Sequence, residues 1–142
     1  MKLVDLPDGA AILVDTPPIV YLLDGHPLAR RFAPLFAAGE AGRFRLMVTP
    51  ITVAEVATGP LRAGREALAL QYRAALCSGG AWSLLPIDEE TAFEAARLRV
   101  RYGLKLPDAF QLAAALRAGC HAVATHDRDF RRVEDVRILG LD

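Results

Sequence analysis

The chain has 142 residues and a formal net charge of zero, because 17 Lys and Arg residues balance 17 Asp and Glu residues. Hydrophobic residues make up 53% of the chain and charged residues 24%, which provides enough apolar material for a single folded domain over residues 1–142 and excludes a disordered chain. The neutral balance also gives no indication of a broadly basic nucleic-acid-binding protein.

The cysteine content and the apolar runs indicate the cellular compartment of the protein. Two cysteines, Cys77 and Cys120, are too few for a disulfide framework or a cysteine-based zinc site, and we interpret both as small apolar core residues. No apolar run approaches the roughly 18–20 residues of a membrane span, and the first residues do not resemble a signal peptide. We therefore expect a cytoplasmic protein with no membrane partner.

The first half of the chain predicts two strands, each followed by helices. Residues 11–15 form a short apolar run that ends in Asp15, which is typical of a strand buried on both faces. Pro17 and Pro18 then end the strand and favour the first turn of a helix. The further elements predicted here are helices over 19–23 and 27–38, a strand over 45–49, a short helix over 51–58 that Gly59-Pro60 breaks, and a longer helix over 61–76.

The second half continues the alternation of strands and helices. The elements predicted here are a strand over 82–87, a helix over 88–102, a helix over 106–119, a strand over 122–125, a turn over 127–130 and a strand over 136–139. Pro86 favours an edge position for the first of these strands. The whole pattern predicts an α/β fold, with a mostly parallel sheet of about five strands and helices on both of its faces.

Acidic residues follow the predicted strands at positions that a parallel sheet brings to one edge. Asp15 closes the first strand, Glu55 lies on the helix after the second, Asp108 lies in the first turn of a helix, and Asp127 and Asp129 follow the fourth strand. Each acid alone is also explained by a helix cap, a helix dipole or an exposed helix position.

Several carboxylates in one pocket repel one another, so such a cluster persists where cations neutralise it. Hard oxygen ligands favour Mg²⁺ or Mn²⁺. These ions support hydrolysis of phosphodiesters, whose anionic oxygens complete the metal shell.

Four short segments carry a family resemblance that spans nearly the whole chain. They are residues 12–16 (ILVDT), 49–56 (TPITVAEV), 104–110 (LKLPDAF) and 124–130 (ATHDRDF). In this order and at these separations, they resemble the motifs of PIN domains, and within that fold those of VapC-type toxins of toxin–antitoxin pairs. The resemblance implies a three-layer α/β/α sandwich and a divalent-metal-dependent endoribonuclease.

The resemblance also implies roles for particular residues of this chain. The acids that match the catalytic and metal-binding positions, with Mg²⁺ or Mn²⁺ as cofactor, are Asp15, Glu55, Asp108 and Asp127. Asp129 matches a further acid that supports the site in some members, and Thr16 and Thr125 match residues with supporting hydroxyl or backbone contacts.

Two positions depart from the family pattern. Pro17 stands where a small polar residue is common, and a proline supplies neither a side-chain oxygen nor an N–H group. One supporting hydrogen bond would therefore be missing. His126 stands where Asn or Arg is common, and we interpret it as an exposed loop histidine.

Partners follow partly from the residues and partly from the resemblance. Arg128, Arg131 and Lys105 flank the predicted acids, and we expect them to contact RNA phosphates. The family implies a cognate antitoxin protein and a homodimer. The helices over 27–38 and 61–76 carry enough apolar residues for a dimer interface, although core packing explains those residues as well. The chain has no DNA-reading motif, so we expect no direct DNA binding.

Three other functions make different demands on the sequence. A haloacid-dehalogenase-like phosphatase needs a second Asp two residues after Asp15, where Pro17 stands. A receiver domain needs adjacent acids early in the chain and a late Lys after a strand, and neither is present. A PIN fold that binds RNA or a protein without cleavage stays open, since Pro17 favours it and the complete acidic set opposes it.

Overall fold

The structure, a computed structural model, describes all 142 residues and is built on five short strands. They are β1 (Ala11–Val14), β2 (Arg45–Val48), β3 (Trp82–Leu84), β4 (Ala122–Ala124) and β5 (Arg137–Leu139). They form a single sheet in the order β3-β2-β1-β4-β5, and every neighbouring pair is parallel. The predicted five-stranded α/β fold is confirmed, and β3 is an edge strand as predicted.

Six α-helices and two short 3₁₀-helices connect the strands. The α-helices are α1 (Thr16–Leu23), α2 (Ala33–Glu40), α3 (Pro50–Arg62), α4 (Glu66–Cys77), α5 (Glu89–Tyr102) and α6 (Leu106–Arg117). The 3₁₀-helices cover Pro27–Phe32 and Arg128–Arg132. None of these helices combines the length and the apolar character needed to span a membrane.

The central strand β1 separates two hydrophobic cores. Its side chains alternate between the faces of the sheet: Ile12 and Val14 pack in a core with α1 to α4, whereas Ala11 and Leu13 pack in a second core with α5 and α6. All four residues are buried, as a strand covered on both faces requires. The molecule is therefore the three-layer sandwich that the family resemblance implied.

Proline and glycine positions explain where the helices differ from prediction. The break expected at Gly59-Pro60 is absent, and α3 continues through Pro60 to Arg62, although Pro60 has no N–H to donate to the carbonyl four residues earlier. The chain turns instead around Gly64, which has a φ of 73°. The helix expected over 61–76 therefore begins only at Glu66. The helix expected over 27–38 is a 3₁₀-helix followed by α2, which starts at Ala33-Pro34.

The two cysteines have different environments. Cys120 is buried in the core beneath α5 and α6, as predicted, whereas Cys77 is exposed at the end of α4. The interpretation of Cys77 as a core residue is therefore wrong. The end of α4 turns the side chain of Cys77 to the surface and that of its neighbour Leu76 into the core.

Candidate active site

The neighbouring strands β1 and β4 bring the first and fourth sequence motifs together. Asp15 follows β1 directly and is only 3% exposed. Its Oδ2 accepts a hydrogen bond of 2.8 Å from Thr125 Oγ1. The same hydroxyl oxygen accepts a hydrogen bond of 3.0 Å from the backbone N–H of Asp127. Thr125 therefore links Asp15 to Asp127 at the carboxyl edge of the sheet.

Asp15 also caps α1, but the cap is unusual. Its Oδ1 accepts a hydrogen bond of 2.9 Å from the backbone N–H of Thr16. A capping side chain normally bonds to the N–H of the second or third helical residue, and Pro17 and Pro18 occupy those positions without an N–H. The carboxylate of Asp15 is left with two donors, the Thr16 backbone and the Thr125 hydroxyl.

The burial of Asp15 outweighs these two hydrogen bonds. Desolvation raises the pKa of Asp15 from its ordinary value of 3.8 to about 6, although the bonds from Thr125 and Thr16 lower it. The nearby carboxylates of Glu55 and Asp127 make a smaller contribution to this rise in the pKa. A cation placed beside Asp15 would reverse this destabilisation of its charged form.

Glu55 reaches the same site from α3. Glu55 is exposed, and its Oε1 accepts a hydrogen bond of 2.7 Å from Thr16 Oγ1. Thr16 therefore connects the Glu55 side chain to the loop that carries Asp15. Thr16 and Thr125 thus make hydroxyl contacts to two of the predicted acids.

Three other carboxylates form a tight group beside Asp15. Oxygens of Asp108, Asp127 and Asp129 all lie within 4.8 Å of one another. Asp108 lies in the first turn of α6, and Asp127 caps the second 3₁₀-helix by accepting a hydrogen bond of 2.9 Å from the backbone N–H of Asp129. Burial raises the pKa of Asp108 to about 7, and the charges of all four other acids raise it as well.

The structure therefore brings all five predicted acids to one site, where three of them form a closer group. Asp129, expected only to support the site, lies within the group of three with Asp108 and Asp127. Asp15 and Glu55 lie outside that group, and Asp15 already accepts hydrogen bonds on both of its oxygens. These donor atoms are all carboxylate oxygens, which fits Mg²⁺ or Mn²⁺ rather than Zn²⁺.

Two residues near the acids were missed or misplaced by the sequence analysis. His126, interpreted as an exposed loop residue, is half-buried, and its Nδ1 lies 2.9 Å from Tyr21 Oη in a hydrogen bond. Gln111 was not identified, although it is fully buried on α6 one turn after Asp108. A polar residue within an otherwise apolar stretch of a helix was the signal available for Gln111.

The basic residues expected to bind RNA lie near the acids in the chain. Lys105 immediately precedes α6, and Arg128 and Arg131 lie on the second 3₁₀-helix. All three are exposed, and none forms an ion pair with a carboxylate. Their charges are therefore available to a ligand.

The family assignment follows from the whole sequence. The model of the PIN domain family matches residues 12–136, and the chain belongs to this family. A search of curated proteins by sequence finds no match.

Solved structures show the same fold over nearly the whole chain. A toxin–antitoxin complex from Klebsiella pneumoniae contains a chain that is 28% identical, with a TM-score of 0.69 over 88% of this chain and 94% of that one. The sarcin-ricin loop cleaving toxin VapC20 of Mycobacterium tuberculosis is 17% identical, with a TM-score of 0.68 over 89% and 98%. A DNA-bound VapBC complex from Salmonella typhimurium is 19% identical, with a TM-score of 0.68 over 91% and 96%. The predicted PIN domain is confirmed, and its fold is the one that these VapC structures have.

Replacing Asp108 by Asn should stabilise the metal-free protein at high pH. The pKa of Asp108 is about 7 in the folded protein and 3.8 ordinarily, so folding takes up a proton between these two pH values. The stability of the wild type therefore decreases as the pH rises from 3.8 to about 7 and stays low above it. In EDTA, Asp108→Asn should therefore unfold at a higher temperature than the wild type at pH 8, and the difference should shrink by pH 5. Thermal unfolding followed by circular dichroism measures both values.

The control for this comparison is Glu40→Gln, which removes an exposed acid outside the site. The change in unfolding temperature that Glu40→Gln causes should be the same at pH 8 and pH 5. An Asp108→Asn protein that is less stable than the wild type at pH 8 would contradict the account.

Proposed function

We propose that the protein is a divalent-metal-dependent endoribonuclease that acts as the toxin of a toxin–antitoxin pair. The observation that carries the proposal is the convergence of five acids at the carboxyl edge of a PIN sheet. Three of these acids, Asp108, Asp127 and Asp129, place oxygens within 4.8 Å of one another. Like charges at this distance favour a bound cation.

The acids have distinct parts in the proposed reaction. Asp108, Asp127 and Asp129 would hold the ion directly, and Asp15 and Glu55 would complete its surroundings directly or through water. A bound Mg²⁺ or Mn²⁺ would lower the pKa of a coordinated water and stabilise charge on the scissile phosphate. Thr125 keeps Asp15 oriented, and Thr16 keeps Glu55 oriented.

RNA is the proposed substrate because basic residues neighbour the acids in the chain and because of a related protein. Lys105, Arg128 and Arg131 are exposed and unpaired, so they can neutralise phosphates without first breaking an ion pair. The Mycobacterium tuberculosis relative cleaves the sarcin-ricin loop. A single-stranded loop is also the usual target of sequence-specific RNA recognition, and we propose such a loop as the substrate of this chain.

The proposed protein partner is an antitoxin. The chain of the Klebsiella pneumoniae toxin–antitoxin complex, which is 28% identical, supports this proposal. We assign any DNA contact of the pair to the antitoxin, because this chain has no DNA-reading motif. The homodimer stays a prediction. Of the helices considered for it, the 27–38 segment buries Phe32, Leu35 and Phe36, while Leu70 of α4 is exposed.

One observation favours a second function, an RNA- or protein-binding PIN domain that does not cleave. Pro17 removes an N–H group that would otherwise help to hold the Asp15 carboxylate. The five acids oppose this alternative, since a domain that only binds has no need to bring these charges together.

Cleavage of RNA should require both the metal and the acids. Asp15→Asn and Asp127→Asn should each lower the cleavage rate by about 100-fold or more, since each removes a charge arranged for the reaction, with the fold intact. The measurement is cleavage of a labelled total-RNA pool by antitoxin-free protein in Mg²⁺, Mn²⁺ or EDTA.

The matched control is Glu40→Gln, whose acid is exposed and lies outside the site. It should cleave like the wild type. Cleavage in EDTA, or full activity in Asp15→Asn, would contradict the proposed role of the acids. Metal binding without cleavage of any RNA would instead support the binding domain.

The basic residues should determine how RNA binding responds to salt. Each lost phosphate contact on a single strand should reduce the slope of log affinity against log salt by about 0.7. The double variant Arg128→Ala/Arg131→Ala should therefore reduce it by about 1.4. Fluorescence anisotropy in an Asp15→Asn background measures binding without cleavage.

A matched double variant, Arg62→Ala/Arg73→Ala, removes two exposed and unpaired arginines from α3 and α4. Its salt slope should equal that of the wild type. If both double variants have the salt slope of the wild type, Arg128 and Arg131 do not bind phosphates.

A further inference from the structure

The helices that carry Glu55 and Asp108 belong to opposite layers of the sandwich. The buried apolar side chain of α3, Val56, packs in the core shared by α1 to α4, whereas the buried apolar side chains of α6 pack in the core shared with α5. The sheet separates these two cores, so no shared apolar core fixes the position of one helix relative to the other. Both helices nevertheless have to place an acid at the same site.

A buried polar cluster joins the two helices beside the acids. Gln111 of α6 accepts a hydrogen bond of 2.6 Å from Thr49 Oγ1 on its Oε1, and its Nε2 donates a hydrogen bond of 3.1 Å to Thr52 Oγ1. Thr49 follows β2 and caps α3, and Thr52 lies in the first turn of α3. These are the side-chain hydrogen bonds between this segment and α6. We call these three residues the amide clamp.

Every polar group of the amide clamp is used inside the protein. Gln111, Thr49 and Thr52 are all fully buried. Thr49 Oγ1 also accepts a hydrogen bond of 3.1 Å from the backbone N–H of Ile51, and Thr52 Oγ1 accepts one of 3.2 Å from the backbone N–H of Thr49. No buried side-chain polar atom lacks a partner. Each of these side-chain polar atoms therefore has a partner inside the protein, and a rotation of either helix would break the hydrogen bonds between α3 and α6.

Packing alone does not explain a glutamine at this position. Burying an amide costs desolvation that its hydrogen bonds only roughly offset, so an apolar side chain of the same size would fill the space equally well. The amide adds direction, because its oxygen and its nitrogen bond to two different hydroxyl groups at the start of α3. Gln111 lies three residues after Asp108, and Thr52 lies three residues before Glu55, so the clamp is one helical turn from each acid.

We propose that Gln111 is a positioning residue for the active site. The amide clamp fixes the rotation and separation of α3 and α6, and thereby the distance between the carboxylates of Glu55 and Asp108. Gln111 itself touches neither the metal nor the RNA. The kinetic part of this proposal rests on the proposed nuclease function, whereas the effect on metal binding does not.

The test replaces Gln111 by Met, which keeps the length of the side chain and removes both hydrogen bonds. The dissociation constant for Mn²⁺, measured by electron paramagnetic resonance of the free ion, should increase about tenfold or more. The kcat for RNA cleavage should fall by a similar factor, with little change in KM. Leu98→Ala is the control, since it destabilises the α5–α6 core through a residue away from the acids.

A second pair of variants tests the same clamp from the other helix. Thr49→Val removes the hydroxyl that donates to Gln111 and should reproduce the defect of Gln111→Met, whereas Thr49→Ser keeps the hydroxyl and should largely restore Mn²⁺ affinity. If Gln111→Met and Leu98→Ala lose similar stability and both retain Mn²⁺ affinity and kcat, the clamp is only structural and the proposal is overturned.

A different set of results is expected if the protein is not a nuclease. In that case the wild type binds Mn²⁺ but cleaves no RNA, and the Mn²⁺ titrations of Gln111→Met and Thr49→Val still decide the positioning role. An unchanged Mn²⁺ affinity in both variants would overturn it without reference to activity.

Discussion

Electrostatic repulsion among five carboxylates is the constraint on which the rest of this structure depends. The fold brings Asp15, Glu55, Asp108, Asp127 and Asp129 to one edge of the sheet and buries Asp15 almost completely. Burial and mutual repulsion raise the pKa values of Asp15 and Asp108 to about 6 and about 7. The folded protein without a cation is therefore less stable near neutral pH than its packing alone would make it.

The hydrogen bonds around the acids limit how far this repulsion can separate them. Thr125 joins the ends of β1 and β4, Thr16 joins the start of α1 to Glu55, and Gln111 joins α6 to the start of α3. Each bond connects elements that are distant in the chain but adjacent at the carboxyl edge. The parallel sheet provides this edge. On the β5 side, Gly140 lies so close to Thr125 and Phe32 that a Cβ at this position would collide with both.

Much of the fold and the acidic set could be predicted from the sequence because both leave local signals. The buried run over 11–14 and the helix expected over 88–102 are both found where their patterns predicted them, the latter as α5. Which of the acids lie closest together could not be predicted, since this depends on side-chain directions at the ends of different strands. The grouping of Asp129 with Asp108 and Asp127, and the hydrogen bonds of Gln111 across to α3, both depend on contacts between elements that are distant in the chain.

The central claim is that these carboxylates form a cation site, and calorimetric titration of the antitoxin-free protein with Mn²⁺ tests it most directly. Titration at pH 6.5 in two buffers of different ionisation enthalpy measures the protons released. Since Asp15 and Asp108 are partly protonated at this pH, binding of Mn²⁺ should release protons at pH 6.5 and almost none at pH 8.5. Absence of binding at millimolar Mn²⁺, or binding without proton release at pH 6.5, would contradict the account.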